Sequence, residues 1–121
     1  IVLCDRFKYA TAAFQQEQGI AVEEIKKAHE EMLHPDLTVI LKIPAEKALE
    51  RLSKRERGNE VKFEKLEFQK KLEKHFDGMK EIFPSDEIEF IDATKTEDEV
   101  VQQVIELIKK RKLLEKVLNQ I

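Results

Sequence analysis

At 121 residues the chain has room for one compact domain with a real core and not for two. Hydrophobic residues at 41% beside charged residues at 39% exclude a disordered or membrane-spanning class, and Lys and Glu enrichment without Trp points to a thermophilic source. A net charge of −3 gives no broad basic field for tracking a phosphate backbone, so nucleic acid is not the expected partner unless charge is concentrated locally, while a small acidic metabolite stays open.

The chain opens on a continuous apolar run, Ile1-Val2-Leu3-Cys4, that leads straight into Asp5-Arg6. Such a run reads as a parallel strand buried on both faces, with Cys4 inside it, and the start without Met is expected of a portion of a longer protein. Val22, Ile25, Ala28 and Met32 share one helical face, which His34-Pro35 closes because a Pro restricts the residue before it. Residues 37–43 form the second expected strand. Pro44 begins or precedes a helix that carries Ala48, Leu49 and Leu52 inward.

A polar stretch from Ser53 to Glu60 interrupts the pattern. Val61, Phe68, Leu72, Phe76, Met79 and Phe83 then lie on one side of a single long helix, until Pro84-Ser85-Asp86 turns into a third strand at Ile88-Glu89-Phe90-Ile91. Thr96 and Glu99 have capping-box spacing, and Val100, Val104, Leu107 and Ile108 continue the last helix. Lys109 to Lys112 suits a helix C-terminus there, or a solvated band if the helix runs on through Leu114, Val117, Leu118 and Ile121.

Strands alternating with helices predict an α/β fold with a parallel sheet and flanking helices, whose ligands bind beyond the carboxyl ends of the strands. Those ends carry Asp5-Arg6, Ile43-Pro44 and Asp92-Ala93. An Arg fork at such a place binds phosphate bidentately, while a neighbouring carboxylate orders it or holds a metal-bound water. The other reading of Asp5-Arg6 is a structural ion pair at a strand end. His29, His34 and His75 lack the spacing and companions of a metal site and are expected at the surface or its boundary. A lone cysteine, the lack of an apolar segment approaching a membrane span, and no visible secretory signal lead to the expectation of a reducing, cytoplasmic setting without a membrane partner.

The run from Asp5 through Arg6, Phe7, Lys8, Tyr9, Ala10, Thr11, Ala12, Ala13 and Phe14 to Gln15 resembles the acceptor-site motif of thymidylate kinases. Pro35-Asp36-Leu37-Thr38, then Ala48-Leu49-Glu50-Arg51 with Arg55, then Phe63-Glu64 and Ile91-Asp92-Ala93 continue the resemblance in order, from residue 1 to about residue 108. It implies a P-loop kinase fold of the nucleoside monophosphate kinase type, here one partial domain over 1–121 without its N-terminal strands. A lid at about 53–62 and a helical tail at about 109–121 belong to it. The implied reaction moves the γ-phosphoryl group of ATP to dTMP with Mg²⁺, and the implied assembly is a homodimer whose interface includes the helix after Asp5-Arg6.

By resemblance, Arg6 holds the acceptor phosphate, Asp5 lies near the transferring group and its Mg²⁺, reaching the metal through water, and Thr11, Phe14 and Gln15 line the sugar and base. Ala10 stands where a Ser is frequent and Phe14 where many members have Tyr, which removes hydroxyls that would report on the sugar; Phe14 also reads as helix-face packing. From Arg51 to Lys62 run five cations, Arg51, Lys54, Arg55, Arg57 and Lys62, against Glu56 and Glu60. A basic loop between helices can close over phosphates, and Arg51 and Arg55 share a helical face. Asp92, Ala93 and Thr94 are where the resembling enzymes hold adenine by backbone groups.

A P-loop needs Gly-x-x-x-x-Gly-Lys-Ser/Thr, and Gly19, Gly58 and Gly78 provide none. These 121 residues are therefore expected to be inactive alone. The alternatives are another nucleoside monophosphate or deoxynucleoside kinase, or a non-catalytic nucleotide-binding module.

Overall fold

Two short stretches rich in β-branched and apolar residues, Thr38–Lys42 (β1) and Ile88–Asp92 (β2), pair in parallel in the computed structural model, which describes residues 1–55 and 62–119. The register sets Thr38 opposite Ile88 and Lys42 opposite Asp92. The ladder extends past both ends, through Thr38 N–H to the Glu87 carbonyl and Ala93 N–H to the Lys42 carbonyl, each 2.8 Å. Before the sheet come α1 (Lys8–Glu17) and α2 (Val22–Ala28). Parallel strands need a long crossover, and α3 (Ala45–Arg55), α4 (Lys62–Asp77) and α5 (Met79–Ile82) supply it; α6 (Glu97–Lys110) and α7 (Leu113–Leu118) follow β2. The expected α/β arrangement of a parallel sheet with flanking helices is what the chain adopts.

The core gathers where α1, α2, α4, α5 and the sheet meet. Ala12 and Ala13 of α1 are fully enclosed, Ile25 is the buried residue of α2, and Leu72, Met79 and Ile82 close over Ile40 and Ile88. The Ile, Leu and Met side chains among these, excluded from water, are each worth on the order of 1.5–3 kcal/mol. α3 docks on α4 with its first turn held from outside: the Ala45 N–H donates to Glu73 Oε2 at 3.2 Å, and Lys42 Nζ pairs with Asp77 Oδ1 at 2.8 Å.

Several local expectations are corrected. Residues 1–4 form no strand: Ile1, Val2 and Leu3 are 84%, 92% and 91% exposed, and Cys4 is exposed too. β1 and β2 pair only with each other, so this run finds no ladder among the described residues, and an extended segment without one satisfies neither its backbone nor its side chains. β1 is not covered on both faces, since Leu41 is 53% exposed. α2 stops at Ala28 rather than at His34-Pro35, and Met32 is exposed. The His29 ring nitrogen lies 2.7 Å from the Ile25 carbonyl and its backbone N–H bonds there as well, which satisfies the end of the helix early.

The expected single long helix is two, α4 and α5, turned at Gly78, a residue of low helix propensity. The turn sends Met79 fully into the core and leaves Phe68 exposed. Leu52 is likewise exposed rather than inward. Val61 lies outside the described residues.

The start of α6 matches its sequence signal. Thr96 Oγ1 accepts the Glu99 N–H and Glu99 Oε2 accepts the Thr96 N–H, both at 3.2 Å, a reciprocal cap worth about 1 kcal/mol. The helix ends at Lys110, the first of the two readings open for the basic run. Arg111 then turns back onto the start of β2, pairing with Glu87 at 2.7 Å and with Glu89, before Lys112 adopts a left-handed φ of 54° and α7 begins.

Candidate functional site

α1 has two unlike faces, and the division follows from its spacing. Lys8, Tyr9, Ala12 and Ala13 point into the protein, while Thr11 and Phe14, three apart, lie on the outer side with Gln15 at its margin. Phe14 is 36% exposed and meets Phe68 at 5.9 Å between ring centroids, so it is neither core nor free of neighbours. Asp5 and Arg6 precede the helix on a bend, both exposed and without a hydrogen bond or ion pair among the described residues. Arg6 sits at φ 58°, a left-handed conformation that costs an L-residue on the order of 1–2 kcal/mol. Among the described residues, the structural ion-pair reading of Asp5-Arg6 finds no partner atoms. Thr11, Phe14 and Gln15 share one side of α1, and Arg6, exposed and without an ion pair among the described residues, stands two residues ahead of the helix.

On the inner side of α1 lies a buried polar network that the sequence did not announce. Lys8 Nζ is 2.8 Å from Asp86 Oδ2, and both side chains are only 1% exposed. The Tyr9 hydroxyl donates to the same oxygen at 2.5 Å and accepts from Thr38 Oγ1 at 2.9 Å, while His34 Nδ1 reaches Asp86 Oδ1 at 2.6 Å. The Lys8 ammonium also lies 4.5 Å from the centre of the Phe83 ring. Burial by itself would raise the Asp86 carboxyl, but the Lys8 ion pair and the Tyr9 and His34 hydrogen bonds overcome it and hold the group below the ordinary carboxylate range. Burial pushes the Tyr9 phenol up, and its bond to the Asp86 carboxylate adds to the rise. The only sequence signal was that Lys8 lies one helical turn before Ala12; Asp86 looked like an ordinary turn residue.

At the carboxyl ends of the strands, Asp92 Oδ1 accepts both the Thr94 N–H at 2.9 Å and the Thr94 hydroxyl at 2.6 Å, which holds its carboxyl below the usual range. With Ala93 N–H already given to Lys42, the N–H groups of Ala93 and Thr94 are both committed inside the chain. Arg51 is exposed on α3, and Lys54 pairs with Glu50 at 3.6 Å. Arg55 is the last residue of α3, and Arg57 with the rest of the expected lid, 56–61, lies outside the described residues. Among the described residues no hydrogen bond or ion pair joins Asp5 or Arg6 to Arg51 or to Asp92-Ala93-Thr94. The tail expected over 109–121 divides between the end of α6 and α7.

A cleft of about 590 Å³ lies elsewhere, lined by Glu17, Lys26, Lys71, Lys74, His75 and Ile82 among others, and contains none of the expected site residues. There His75 and Lys71 hold the Glu17 carboxyl below its usual range, His75 contributing most. His34 and His75 are therefore engaged by carboxylates, and among the described residues no three His, Cys, Asp or Glu side chains converge as metal ligands. No described helix is long and apolar enough to cross a membrane.

A family model described as thymidylate kinase matches residues 1–104. Among curated proteins, the chain is similar to the thymidylate kinases of Lactobacillus helveticus, at 37% identity over 92% of this chain and 55% of that protein, and Staphylococcus haemolyticus, at 35% over 89% and 55%. That of Desulfotalea psychrophila is 37% identical over 90% of the chain and 52% of its own length. The chain thus spans about half the length of the curated relatives it matches. No solved structure matches it significantly.

Proposed function

Because the chain belongs to the thymidylate kinase family, we propose that the protein containing it transfers the γ-phosphoryl group of ATP to dTMP, giving dTDP and ADP. The observation that carries this reading is Arg6, exposed and without an ion pair among the described residues, two residues ahead of α1. Its guanidinium binds the acceptor phosphate as a fork, and the left-handed backbone at this residue fits a position set by function rather than by local preference. Thr11, Phe14 and Gln15, on one side of α1, lie under the sugar and base. A phosphate oxygen of dTMP then attacks the γ-phosphorus as the bond to the ADP oxygen breaks, and positioning with charge neutralisation supplies the catalysis.

Asp5 is an exposed carboxylate with no partner among the described residues, which fits the habit of Mg²⁺ of taking one or two protein carboxylates beside substrate phosphates and waters. Mg²⁺ bound there through water would neutralise charge on the phosphates. Arg51 and Arg55 act from the end of α3, with Lys54 and Arg57 in a lid over about 53–62 that closes on the phosphates. Since the N–H groups of Ala93 and Thr94 are committed, adenine meets this segment through carbonyl oxygens, which accept from its amino group. On this reading residues 1–121 are one partial kinase domain with a helical tail at 109–121. They supply the acceptor and lid parts of a cytoplasmic homodimer and do not transfer phosphate by themselves, since they hold no P-loop sequence.

The test is an acceptor panel with the intact protein, ATP and Mg²⁺. The expected kcat/KM for dTMP exceeds that for UMP or CMP by about tenfold or more, the scale at which one group in a pocket discriminates. Efficient phosphorylation of UMP or CMP with negligible turnover of dTMP would replace the thymidylate assignment by another nucleoside monophosphate kinase.

A further inference from the structure

We infer that the buried Asp86 is a positioning residue for the acceptor side of the reaction: through Lys8 and Tyr9 it fixes the first turn of α1, and thereby where Arg6, Thr11 and Phe14 point. This rests on the reading above of that outer face as the acceptor site.

Nothing local sets the start of α1. Its N-cap, Phe7, offers no side-chain hydrogen bond, and its first turn holds no acidic residue. On the inner face, Ala12 and Ala13 allow close approach but have too little shape to define one rotation of the helix. A slip of one residue would turn the helix by about 100°, carrying Thr11 and Phe14 to another side. Two directional bonds remove that freedom. Lys8 and Tyr9 both reach Asp86 Oδ2, at 2.8 and 2.5 Å, from adjacent positions in the first turn, with one residue between them and Arg6.

Asp86 is itself held from the opposite side. His34 reaches Oδ1 at 2.6 Å from the segment ahead of β1, and Thr38, the first residue of β1, donates to the Tyr9 hydroxyl at 2.9 Å. One carboxylate therefore ties the head of α1 to the amino-terminal ends of both strands. Apolar residues of similar volume often replace a buried ion pair at little cost in stability, so what the pair adds here is a unique placement.

The experiment is Asp86→Asn in the intact protein, with steady-state kinetics for each substrate and exchange of the amides of residues 11–13, whose N–H groups close the first turn of α1. A shift near 1 Å in a bound group is enough for large kinetic losses, so KM for the nucleotide acceptor should rise about tenfold. Meanwhile kcat should stay within about threefold, KM for ATP should not move, and the amides of 11–13 should exchange faster. A folded variant with unchanged acceptor KM overturns the inference, and so does an equal rise in KM for ATP, which general loosening would produce. If Asp86→Asn does not fold, Tyr9→Phe keeps the ring in the core and removes the hydroxyl's two bonds, the one given to Asp86 and the one accepted from Thr38. A rise of about threefold in acceptor KM then supports the role, and no rise overturns it.

Amide exchange needs no substrate and separates the two readings. Faster exchange in a protein that phosphorylates no nucleoside monophosphate sinks the assigned activity, and the acceptor role with it. Unchanged exchange sinks the anchoring itself.

Discussion

Asp86→Ala is expected to destabilise the fold by about 3–5 kcal/mol, read as a lower urea midpoint with an unchanged slope. The cost comes from what stays behind. Lys8 would keep an ammonium in a site where its side chain is 1% exposed, with an aromatic face as its remaining company, and the Tyr9 hydroxyl would lose its acceptor. Exchanging both members, Lys8→Met with Asp86→Leu, should recover most of the loss, because no charge then remains unpaired.

The pH dependence follows from the directions of the two shifts. The Asp86 carboxyl titrates lower in the folded protein than in the unfolded chain, so its contribution is full above the unfolded value of about 3.9 and is lost as pH falls through the folded value. Tyr9 titrates higher when folded, so its contribution is full below about 10 and declines as pH rises beyond it. Asp86→Ala should flatten the acid limb of the stability profile, and a wild-type-like acid limb in that variant would assign acid unfolding to other carboxylates.

Arg6→Ala in the intact protein is expected to lower kcat/KM for dTMP by about 10²–10³-fold, the usual loss when one preorganised donor to a reacting oxyanion is removed. Stability should not fall, since the side chain is exposed and unpaired among the described residues. Arg6→Lys should restore only part of the activity, because an ammonium carries the charge but not the two parallel N–H donors. Full activity in Arg6→Ala would take the acceptor phosphate away from this residue.

What the sequence disclosed depended on how local the physics was. β1, β2 and the Thr96–Glu99 cap were legible because each is written in a few consecutive residues. The parallel pairing followed from the alternation of elements. Residues 1–4 were misread because apolar character states a wish to be buried and does not supply a neighbour. The early end of α2 turned on one imidazole reaching its own helix, and the break at Gly78 leaves Met79 fully buried at the start of a new helix. Of the candidate site, Asp5-Arg6 and the outer face of α1 were visible as a motif. The carboxylate that anchors them was not, because Lys8 and Asp86 meet only once the chain has folded.

That separation has a kinetic consequence. Tyr9 and Asp86 are 77 residues apart, and between them lie β1 and the whole crossover. Ordering so long a loop costs entropy before any bond repays it, so α1 and the α3–α4 pair, whose contacts are nearer in sequence, should organise first and the carboxylate should close last. Removing Asp86 should therefore quicken unfolding and leave the refolding rate nearly unchanged, a pattern a chevron would display directly. During synthesis the head of α1 leaves the ribosome with its ammonium still in water and waits for most of the chain before that charge is taken inside.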